Sequence, residues 1–280
     1  MGLARCALNP ETMQSKKYYI TPAKKQKNVA VIGGGIGGME AAIVAAKRGH
    51  KVTLYEKTDK LGGVFIAAAA PSFKEKDRAL IAWYIRELQK HPIDVKMNTE
   101  VSDVKALEAD EIIVATGAVA KRIPVKGADG AVEAVDYLLG NKTVGDKVVV
   151  IGGGLTGCEI AYDLYLNGKK PTIVEMQDDL ITTPGICLAN TSYLRDFFKT
   201  NNVPVYLETS LSEIGEGSVT LKDKDGNAFV VDADSVILSV GYNPAPLAAK
   251  GKHIHVIGDA EKVGNLRTVI WGAWNVAMKL

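Results

Sequence analysis

Two stretches of the chain carry the same glycine pattern, and each ends in a carboxylate. Residues 29–57 (VAVIGGGIGGMEAAIVAAKRGHKVTLYEK) and 148–176 (VVVIGGGLTGCEIAYDLYLNGKKPTIVEM) align without a gap. Each predicts an apolar strand, a G-x-G-x-x-G turn, a helix and a second strand that ends in glutamate. A glycine turn at a helix N-terminus can bind a pyrophosphate, and a carboxylate about 20 residues further on can accept hydrogen bonds from a ribose. Because one such unit binds one dinucleotide, the duplication predicts two dinucleotide sites.

The glycines of this turn have three separate roles. The first permits a tight turn, the second lets the backbone approach the pyrophosphate, and the third lets the helix pack against the strand. The residues in these positions, with the ribose carboxylate last, are Gly33, Gly35, Gly38 and Glu56 in the first unit, and Gly152, Gly154, Gly157 and Glu175 in the second. One isolated glycine turn often binds nothing, but two complete copies of strand, turn, helix and carboxylate argue against that alternative.

Composition and charge predict a cytoplasmic protein with one large core or two smaller ones. The 280 residues carry 34 basic and 32 acidic side chains, a net charge of +2. No long basic run is present, so neither nucleic acid nor a membrane surface is an expected partner. The first ten residues lack the apolar stretch of a signal peptide. Three scattered cysteines, Cys6, Cys158 and Cys187, do not form a disulfide framework.

The alternation of short apolar runs and helical patterns predicts an α/β fold with parallel sheets. Predicted strands lie at residues 28–32, 51–55, 94–97, 101–104, 111–115, 147–151, 171–174, 203–207, 218–221, 235–240 and 253–257. Predicted helices lie at about residues 37–48, 74–90, 156–166 and 188–200, and from about residue 267 onward. Residues 1–27 are polar and contain two prolines, which is typical of a linker or a surface-crossing arm.

A pair of dinucleotides arranged for electron transfer implies a flavin and a nicotinamide, and Glu175 bears on which nicotinamide. A 2′-phosphate beside this carboxylate would meet like-charge repulsion, and no arginine follows it directly (Glu175-Met176-Gln177). Lys169 and Lys170 precede the strand and belong to its opposite end. The second site is therefore expected to prefer NADH over NADPH.

The order of the remaining motifs resembles that of flavoproteins with two dinucleotide-binding domains, which hold FAD in the first unit and NAD(P)H in the second. The positions that match the FAD motifs of that family are Glu56, Lys57, Gly62, Gly63, Thr116, Gly117, Gly258 and Asp259. The resemblance implies that Asp259 reaches the ribityl or pyrophosphate region and that backbone near Val101 approaches the adenine. An alternative is that Asp259 caps the last helix. Gly241 is the counterpart of Gly117 in the second unit.

The segment before the first unit narrows the family. Arg5-Cys6-Ala7-Leu8-Asn9-Pro10 resembles the junction in the 2,4-dienoyl-CoA reductase, 2-enoate reductase and trimethylamine dehydrogenase group of iron–sulfur NADH:flavin oxidoreductases. Those proteins place an old-yellow-enzyme-like FMN barrel and a cysteine cluster ahead of the two dinucleotide domains. The resemblance implies that Cys6 is the last of four ligands to a [4Fe–4S] cluster. This sequence contains neither the barrel nor the other three cysteines, and an ordinary surface thiol is the alternative for Cys6.

Several other residues are given structural roles. Cys158 is expected to pack in a core and Cys187 to be inert. His253 and His255 share one face of a short strand without further ligands, which does not indicate a metal. Trp271 and Trp274 have helical spacing and are expected to pack in the core, with contact to the flavin ring as the alternative. No close cysteine pair lies near residues 62–71, so thiol–disulfide chemistry is not expected.

These observations predict two Rossmann-like domains, with the NAD domain inserted into the FAD domain. Residues 1–27 would be a linker from a missing N-terminal barrel and cluster region, 28–140 and 245–280 the FAD domain, and 141–244 the NAD(P)H domain. The expected activity is hydride transfer from NADH to FAD. The chain would be the electron-input fragment of a larger enzyme that reduces enoyl- or dienoyl-type substrates.

In the complete enzyme, electrons would continue through the [4Fe–4S] cluster to FMN, either in the missing barrel domain or in a partner protein. Two alternatives remain open. One is a stand-alone NADH-dependent flavoprotein reductase of a protein partner. The other is a non-catalytic nucleotide-binding module.

Overall fold

The computed structural model describes residues 5–14, 16 and 18–280. The chain forms two compact units. The first comprises Met1–Ala69, Glu75–Val119 and Tyr242–Leu280, and the second comprises Ala70–Lys74 and Ala120–Gly241. Each unit contains its own five-stranded parallel sheet. The predicted α/β class with two Rossmann-like sheets is confirmed.

The described residues contain the following strands and helices in chain order. They are β1 Asn28–Ile32, α1 Ile36–Lys47, β2 Lys51–Tyr55, α2 Phe65–Ala68, α3 Glu75–Gln89, β3 Ile93–Lys96, β4 Glu111–Val114, β5 Ala118–Ala120, β6 Val132–Glu133, α4 Ala134–Leu138, β7 Lys147–Ile151, α5 Leu155–Leu166, β8 Lys170–Val174, α6 Leu188–Thr200, β9 Val205–Tyr206, β10 Ser210–Gly215, β11 Ser218–Lys222, β12 Ala228–Asp232, β13 Ser235–Leu238, β14 Tyr242–Pro244, β15 Ile254–Val256 and α7 Leu266–Ala277. None of these helices is long and apolar enough to cross a membrane.

The sheet of the first unit has the strand order β15-β4-β1-β2-β3, with all neighbours parallel. Both faces of its central strand are buried. Val29 and Val31 belong to the core under α1 and α7, whereas Ala30 and Ile32 belong to a second core on the opposite face. Burial on both faces explains why β1 is a continuous apolar run and not an alternating one. Helix α1 packs against α3 and α7 as well as the sheet.

The sheet of the second unit repeats this plan with the order β6-β13-β7-β8-β9. The strands β7, β8, β9 and β13 take the places of β1, β2, β3 and β4. The edge strand differs, because β6 precedes the central strand in sequence whereas β15 follows all other strands of its unit. One face of this sheet is covered by a separate antiparallel sheet, β10-β11-β12, where Val219 and Leu221 pack against Val149 and Ile151.

The structure differs from the sequence expectation at residues 101–104, which do not form a strand. Val104 instead begins a 3-10 turn, Val104–Ala106, whose N-cap is Asp103. The Asp103 side chain accepts a hydrogen bond from the Lys105 N–H at 2.9 Å. Val101 and Val104 face the same core, so the apolar residues are buried there without strand pairing.

Residues 120–140 lie in the second unit, whereas the boundary predicted from the sequence assigns them to the first. The pairing of β6 with β13 is parallel and puts Val132 opposite Ile237. Ala134 of the following helix is buried in the second unit's core, and Leu138 packs against that core. The unit therefore begins about twenty residues earlier than the predicted boundary at residue 141.

The described part of residues 5–27 lies against the first unit. The indole Nε1 of Trp271 donates a hydrogen bond to the Cys6 carbonyl oxygen at 3.0 Å. The ring of Tyr18 lies 5.3 Å from the Trp271 ring and 5.4 Å from the Trp274 ring. Trp274 is buried. The segment is therefore a docked arm held on α7, and both tryptophans have packing roles.

Arg48, directly after α1, connects the docked arm to the end of α7. Its Nε donates to the Thr21 carbonyl oxygen at 3.0 Å, and its Nη1 donates to the Ala277 carbonyl oxygen at 2.7 Å. Its own carbonyl oxygen accepts a hydrogen bond from Ala23 N–H. The buried guanidinium of Arg48 thus donates to backbone carbonyl groups of the arm and of the end of α7.

Glu111, at the start of β4, gathers three basic side chains. Its carboxylate oxygens lie 2.7 Å from Lys27 Nζ, 2.9 Å from His255 Nε2 and 3.5 Å from His253 Nδ1. Burial raises the carboxyl pKa, but hydrogen bonds from Lys27 and His255 and the charge of Lys27 outweigh it and lower the pKa to about 2. His255 in β15 and His253 just before it therefore have an acidic neighbour that the sequence did not reveal.

Glu40 of α1 is a carboxylate in the core of the first unit. It is 7% exposed, and its Oε2 accepts a hydrogen bond from the fully buried Tyr84 hydroxyl at 3.1 Å. Removal from water raises the Glu40 pKa to about 7, although the Tyr84 hydrogen bond opposes the shift. A carboxyl whose folded pKa is raised stabilises the fold while protonated. That contribution is fully present below the unfolded pKa and is lost as pH rises through about 7.

Replacing Glu40 by glutamine should remove this pH dependence. Glutamine keeps an acceptor for the Tyr84 hydroxyl without a charge. We expect E40Q to match the parent near pH 5 and to exceed its free energy of unfolding by about 1–3 kcal/mol near pH 8. Urea unfolding across that pH range measures both. A parent protein whose stability does not fall between those pH values would contradict the expectation.

Candidate functional site

The first glycine turn joins β1 to α1 and has three distinct environments. Gly33 has φ +106°, and a Cβ there would collide with the Ala115 carbonyl oxygen at the end of β4. A Cβ on Gly38 would collide with the Gly33 carbonyl oxygen. A Cβ on Gly35 would meet nothing within 4 Å. The outer glycines are therefore needed for close packing, whereas Gly35 presents open backbone.

The second turn, between β7 and α5, has the same geometry. Gly152 has φ +107° and packs against the Ser239 carbonyl oxygen, and a Cβ on Gly157 would collide with the Gly152 carbonyl oxygen. A Cβ on Gly154 would again meet nothing within 4 Å. The aligned sequences thus fold into turns that match position by position.

Each turn opens a twelve-residue helix whose N-terminus has no side-chain cap. Gly35 is the N-cap of α1 and Gly154 the N-cap of α5, both with extended backbone and no capping side chain. The first-turn N–H groups of a helix have no intrahelical acceptor, and the helix dipole adds partial positive charge there. Uncapped N–H groups beside open backbone fit a pyrophosphate, so both sites suit the predicted dinucleotides.

Glu56 is tied to the first turn by its side chain. Its Oε2 accepts a hydrogen bond from Gly34 N–H at 2.7 Å, and its Oε1 accepts from Thr58 N–H and Thr58 Oγ1, both at 2.8 Å. The loop after Glu56 then folds back, and Gly62 N–H donates to the Gly34 carbonyl oxygen at 2.9 Å. Leu61 covers Gly34, where a Cβ would overlap the leucine side chain.

Glu175 is held in the same way in the second unit. Its Oε2 accepts from Gly153 N–H at 2.6 Å, and its Oε1 accepts from Gln177 N–H at 2.8 Å. Ile181 N–H donates to the Gly153 carbonyl oxygen at 2.8 Å, and Leu180 covers Gly153. The repeat therefore extends past the glutamate into the next loop, which the glycine motif does not reveal. Its signal was a leucine five residues after each glutamate.

The glycine pair predicted for the first site lies at its turn. Gly62 forms an isolated parallel bridge with Gly35, and a Cβ on Gly63 would lie 3.1 Å from the Gly35 Cα. Lys57 is exposed beside Glu56. Val101 is half-buried and packs against the core on the opposite face of the sheet from α1. The structure thus brings Gly62 and Gly63 to the turn, whereas Val101 contributes apolar packing to the core on that opposite face.

Thr116 and Gly117 follow β4, whose end contacts the first turn. The Thr116 hydroxyl donates to the Ala245 carbonyl oxygen at 2.8 Å, and the Gly117 carbonyl oxygen accepts from Ala245 N–H at 3.1 Å. Gly241 has the corresponding place in the second unit, three residues after β13, and accepts a hydrogen bond from Lys121 N–H at 2.9 Å. Both segments therefore lie just beyond the end of a strand and are hydrogen-bonded to another segment of their own unit.

Asp259 lies in a 3-10 turn, Gly258–Ala260, directly after β15. Its Oδ1 accepts a hydrogen bond from Gly264 N–H at 3.0 Å. It does not cap α7, because Asn265 does so in a capping box with Thr268. Val269 lies near both Gly258 and Gly37 of α1, so the late Gly-Asp segment lies near the start of α1.

Cys6 is half-buried, and the remaining cysteines lie in the second unit. Burial raises the pKa of the Cys158 thiol to about 12, and Cys187 is the exposed N-cap residue of α6. The described residues contain no group of three or more His, Cys, Asp or Glu arranged to bind a metal. A four-thiolate cluster therefore does not fit this chain's described residues alone, which offer Cys6 as a single candidate ligand.

Comparison with known proteins decides the family. The model of the pyridine nucleotide-disulphide oxidoreductase family matches residues 27–261. The chain belongs to this family. It is thereby an oxidoreductase domain of the type that binds flavin and nicotinamide nucleotides.

Individual relatives confirm the narrower resemblance to the enoate reductase group. The chain is 40% identical to cinnamate reductase of Clostridium sporogenes over 98% of its length, and 34% identical to NADH oxidase of Thermoanaerobacter brockii over 99%. Among solved structures it resembles a 2-naphthoyl-CoA reductase with a TM-score of 0.89 and 29% identity, over 99% of the chain. The chain spans 42%, 44% and 43% of these three proteins, respectively.

Two substitutions in the second turn should separate folding from binding. G157A forces a methyl group into the Gly152 carbonyl oxygen and should destabilise the second unit by about 1–3 kcal/mol. G154A adds a methyl group in open space, so its melting temperature should stay near the parent value while NAD⁺ binding weakens at least about tenfold. Thermal unfolding and calorimetric titration measure the two effects. Unchanged NAD⁺ affinity in G154A would argue against a pyrophosphate at this helix.

Proposed function

We propose that the first unit holds FAD, that the second unit binds NADH, and that the chain catalyses hydride transfer from NADH to FAD. The observation that most strongly supports this proposal is the duplicated site. In both units, an uncapped helix N-terminus, an open central glycine position and a clamped glutamate occur together. Two such sites in one chain of this oxidoreductase family support two nucleotides used in one redox reaction.

Differences between the sites support the assignment of the nucleotides. The first unit adds Gly62 and Gly63 against Gly35 and brings the Gly258-Asp259 turn near the start of α1. These extra elements suit a larger dinucleotide whose flavin end needs further contacts. FAD, when bound, accepts a hydride and can release its electrons one at a time. The chain's own residues bind and orient, and the reaction requires no side-chain acid or base.

The whole protein's role extends the proposal. Because the chain spans about two fifths of its relatives, we place its electron acceptor in an N-terminal barrel region or in a partner protein. Cys6 would be one ligand of a [4Fe–4S] cluster, with FMN as a further cofactor of the complete enzyme. The names cinnamate reductase and 2-naphthoyl-CoA reductase support an enoyl- or dienoyl-type substrate.

Anaerobic titration of the FAD-loaded chain with NADH tests the central step. Oxidised flavin absorbs at about 450 nm. We expect this absorbance to bleach with about one equivalent of NADH. The G154A variant should keep its flavin and bleach only at much higher NADH concentration, whereas G35A should bind FAD weakly.

Two results would contradict the proposal. A chain that cannot be loaded with FAD would remove the redox function altogether. A chain that binds FAD and NADH without bleaching would favour the non-catalytic nucleotide-binding module. Barrel-coding sequence upstream in the same reading frame would separate the larger enzyme from a stand-alone reductase.

A further inference from the structure

The loop after Glu175 carries a charged pair that the dinucleotide motif does not require. Residues 176–181 (MQDDLI) contain two aspartates and no basic residue. Arg195, from α6, reaches this loop. Its Nε lies 2.9 Å from Asp179 Oδ1, and its Nη2 lies 2.9 Å from Asp179 Oδ2. Nη2 also donates to the Leu180 carbonyl oxygen. One charge-assisted hydrogen bond to Asp179, a second close ion contact with it and the bond to Leu180 fix the position of the guanidinium.

This pair lies at the proposed ribose end of the nucleotide site. Glu175 and Ile181, at the two ends of the loop, are both hydrogen-bonded to Gly153 of the glycine turn. Asp179 lies between them. The loop is therefore a short arch fixed at both ends, and the Asp179 carboxylate belongs to the same arch as the Glu175 carboxylate.

Cys158 lies beside the glycine turn and is affected by these charges. The Cys158 Sγ lies 3.3 Å from the Gly153 carbonyl oxygen, beside the turn. Burial is the main cause of its raised pKa, and the negative charges of Glu175 and Asp179 raise the pKa further, whereas the positive charge of Arg195 lowers it. All three charged groups thus affect a buried thiol that lies against the glycine turn.

The first unit lacks this arrangement at the equivalent position. The residue four places after the glutamate is Lys60 in the first unit and Asp179 in the second. Glu56 accepts two hydrogen bonds from Thr58, whereas Gln177 supplies one backbone N–H to Glu175. The acidic residue and its arginine partner are therefore features of the second site alone. They do not belong to the glutamate–glycine hydrogen bonding that both units share.

We propose that the Asp179–Arg195 ion pair is a charge lock that makes the second site select against 2′-phosphorylated nucleotides. The inference rests on the proposed function, in which this site binds NADH. A 2′-phosphate would meet the carboxylates of Glu175 and Asp179. Arg195 is a cation that reaches this loop, and its guanidinium is already paired with Asp179. Discrimination thus comes both from the repulsive carboxylates and from an arginine that is unavailable to the phosphate.

Calorimetric titrations of NAD⁺ and NADP⁺ at one fixed ionic strength test the lock. In D179N the arch keeps a side chain of the same shape, but Arg195 is no longer neutralised. We expect NADP⁺ to bind about tenfold more tightly, about 1.4 kcal/mol, with NAD⁺ affinity within about twofold of the parent. D178N is the matched control, since it removes an exposed neighbouring carboxylate without releasing Arg195, and it should change NADP⁺ affinity less than D179N does.

R195Q provides an independent arm that leaves Asp179 in place. Its uncompensated carboxylate should weaken NADP⁺ further while NAD⁺ stays near the parent value. The D179N/R195Q double variant should lose the gain seen in D179N. Thermal unfolding of each variant checks that the second unit remains folded.

The outcomes distinguish a failure of the charge lock from a failure of the proposed function. A parent chain that binds neither NAD⁺ nor NADP⁺ rejects the proposed function itself. If NAD⁺ binds but D178N matches D179N, net charge alone explains the selectivity and the lock is rejected. If D179N and R195Q change both nucleotides equally, the pair only supports the loop. If the D179N variant unfolds, R195Q decides, and a parent-like ratio of the two affinities rejects the lock.

Discussion

One hydrogen bond organises each half of this protein: the bond from a backbone N–H of the glycine turn to the glutamate at the end of the second strand. The donor–acceptor distances are 2.7 Å from Gly34 to Glu56 and 2.6 Å from Gly153 to Glu175. A charged acceptor makes such a bond stronger than one between neutral groups. It fixes the turn relative to the neighbouring strand. The start of the helix, and the N–H groups exposed there, are positioned as a result.

The same bond also explains why each site is more than its glycine motif. Once the carboxylate is clamped, the loop after it returns over the middle glycine, closed by Gly62 in one unit and Ile181 in the other. This shared frame leaves the loop surface free to vary. The first unit places a lysine there and the second an aspartate with an arginine partner, Asp179 and Arg195. The two units thus share the local geometry and differ in the charges of this loop.

Local sequence signals were sufficient for the parts of the structure that depend on local chemistry. The helical spacing of residues 188–200 predicted α6 with the bounds that the structure has, and the apolar runs predicted the central strands. Sequence did not reveal the edge strand β6 or the antiparallel sheet β10-β12 as a covering layer. Residues 101–104 alternate as a strand does, yet form a turn. A distant partner decides the outcome for β6, which pairs with β13, whereas a local cap by Asp103 decides it for residues 101–104.

The position of β15 and α7 after the inserted unit in sequence has a consequence for how the protein is made. The second unit is complete in sequence once β13 and Gly241 have been synthesised. The first unit still lacks an edge strand and the Ile270, Ala273 and Trp274 side chains that fill its core beside α1. Since domains generally fold as units during synthesis, the inserted unit can fold on the ribosome before the unit that encloses it in sequence. Until α7 has been synthesised, the segments of the first unit that precede the inserted unit leave apolar core surface uncovered.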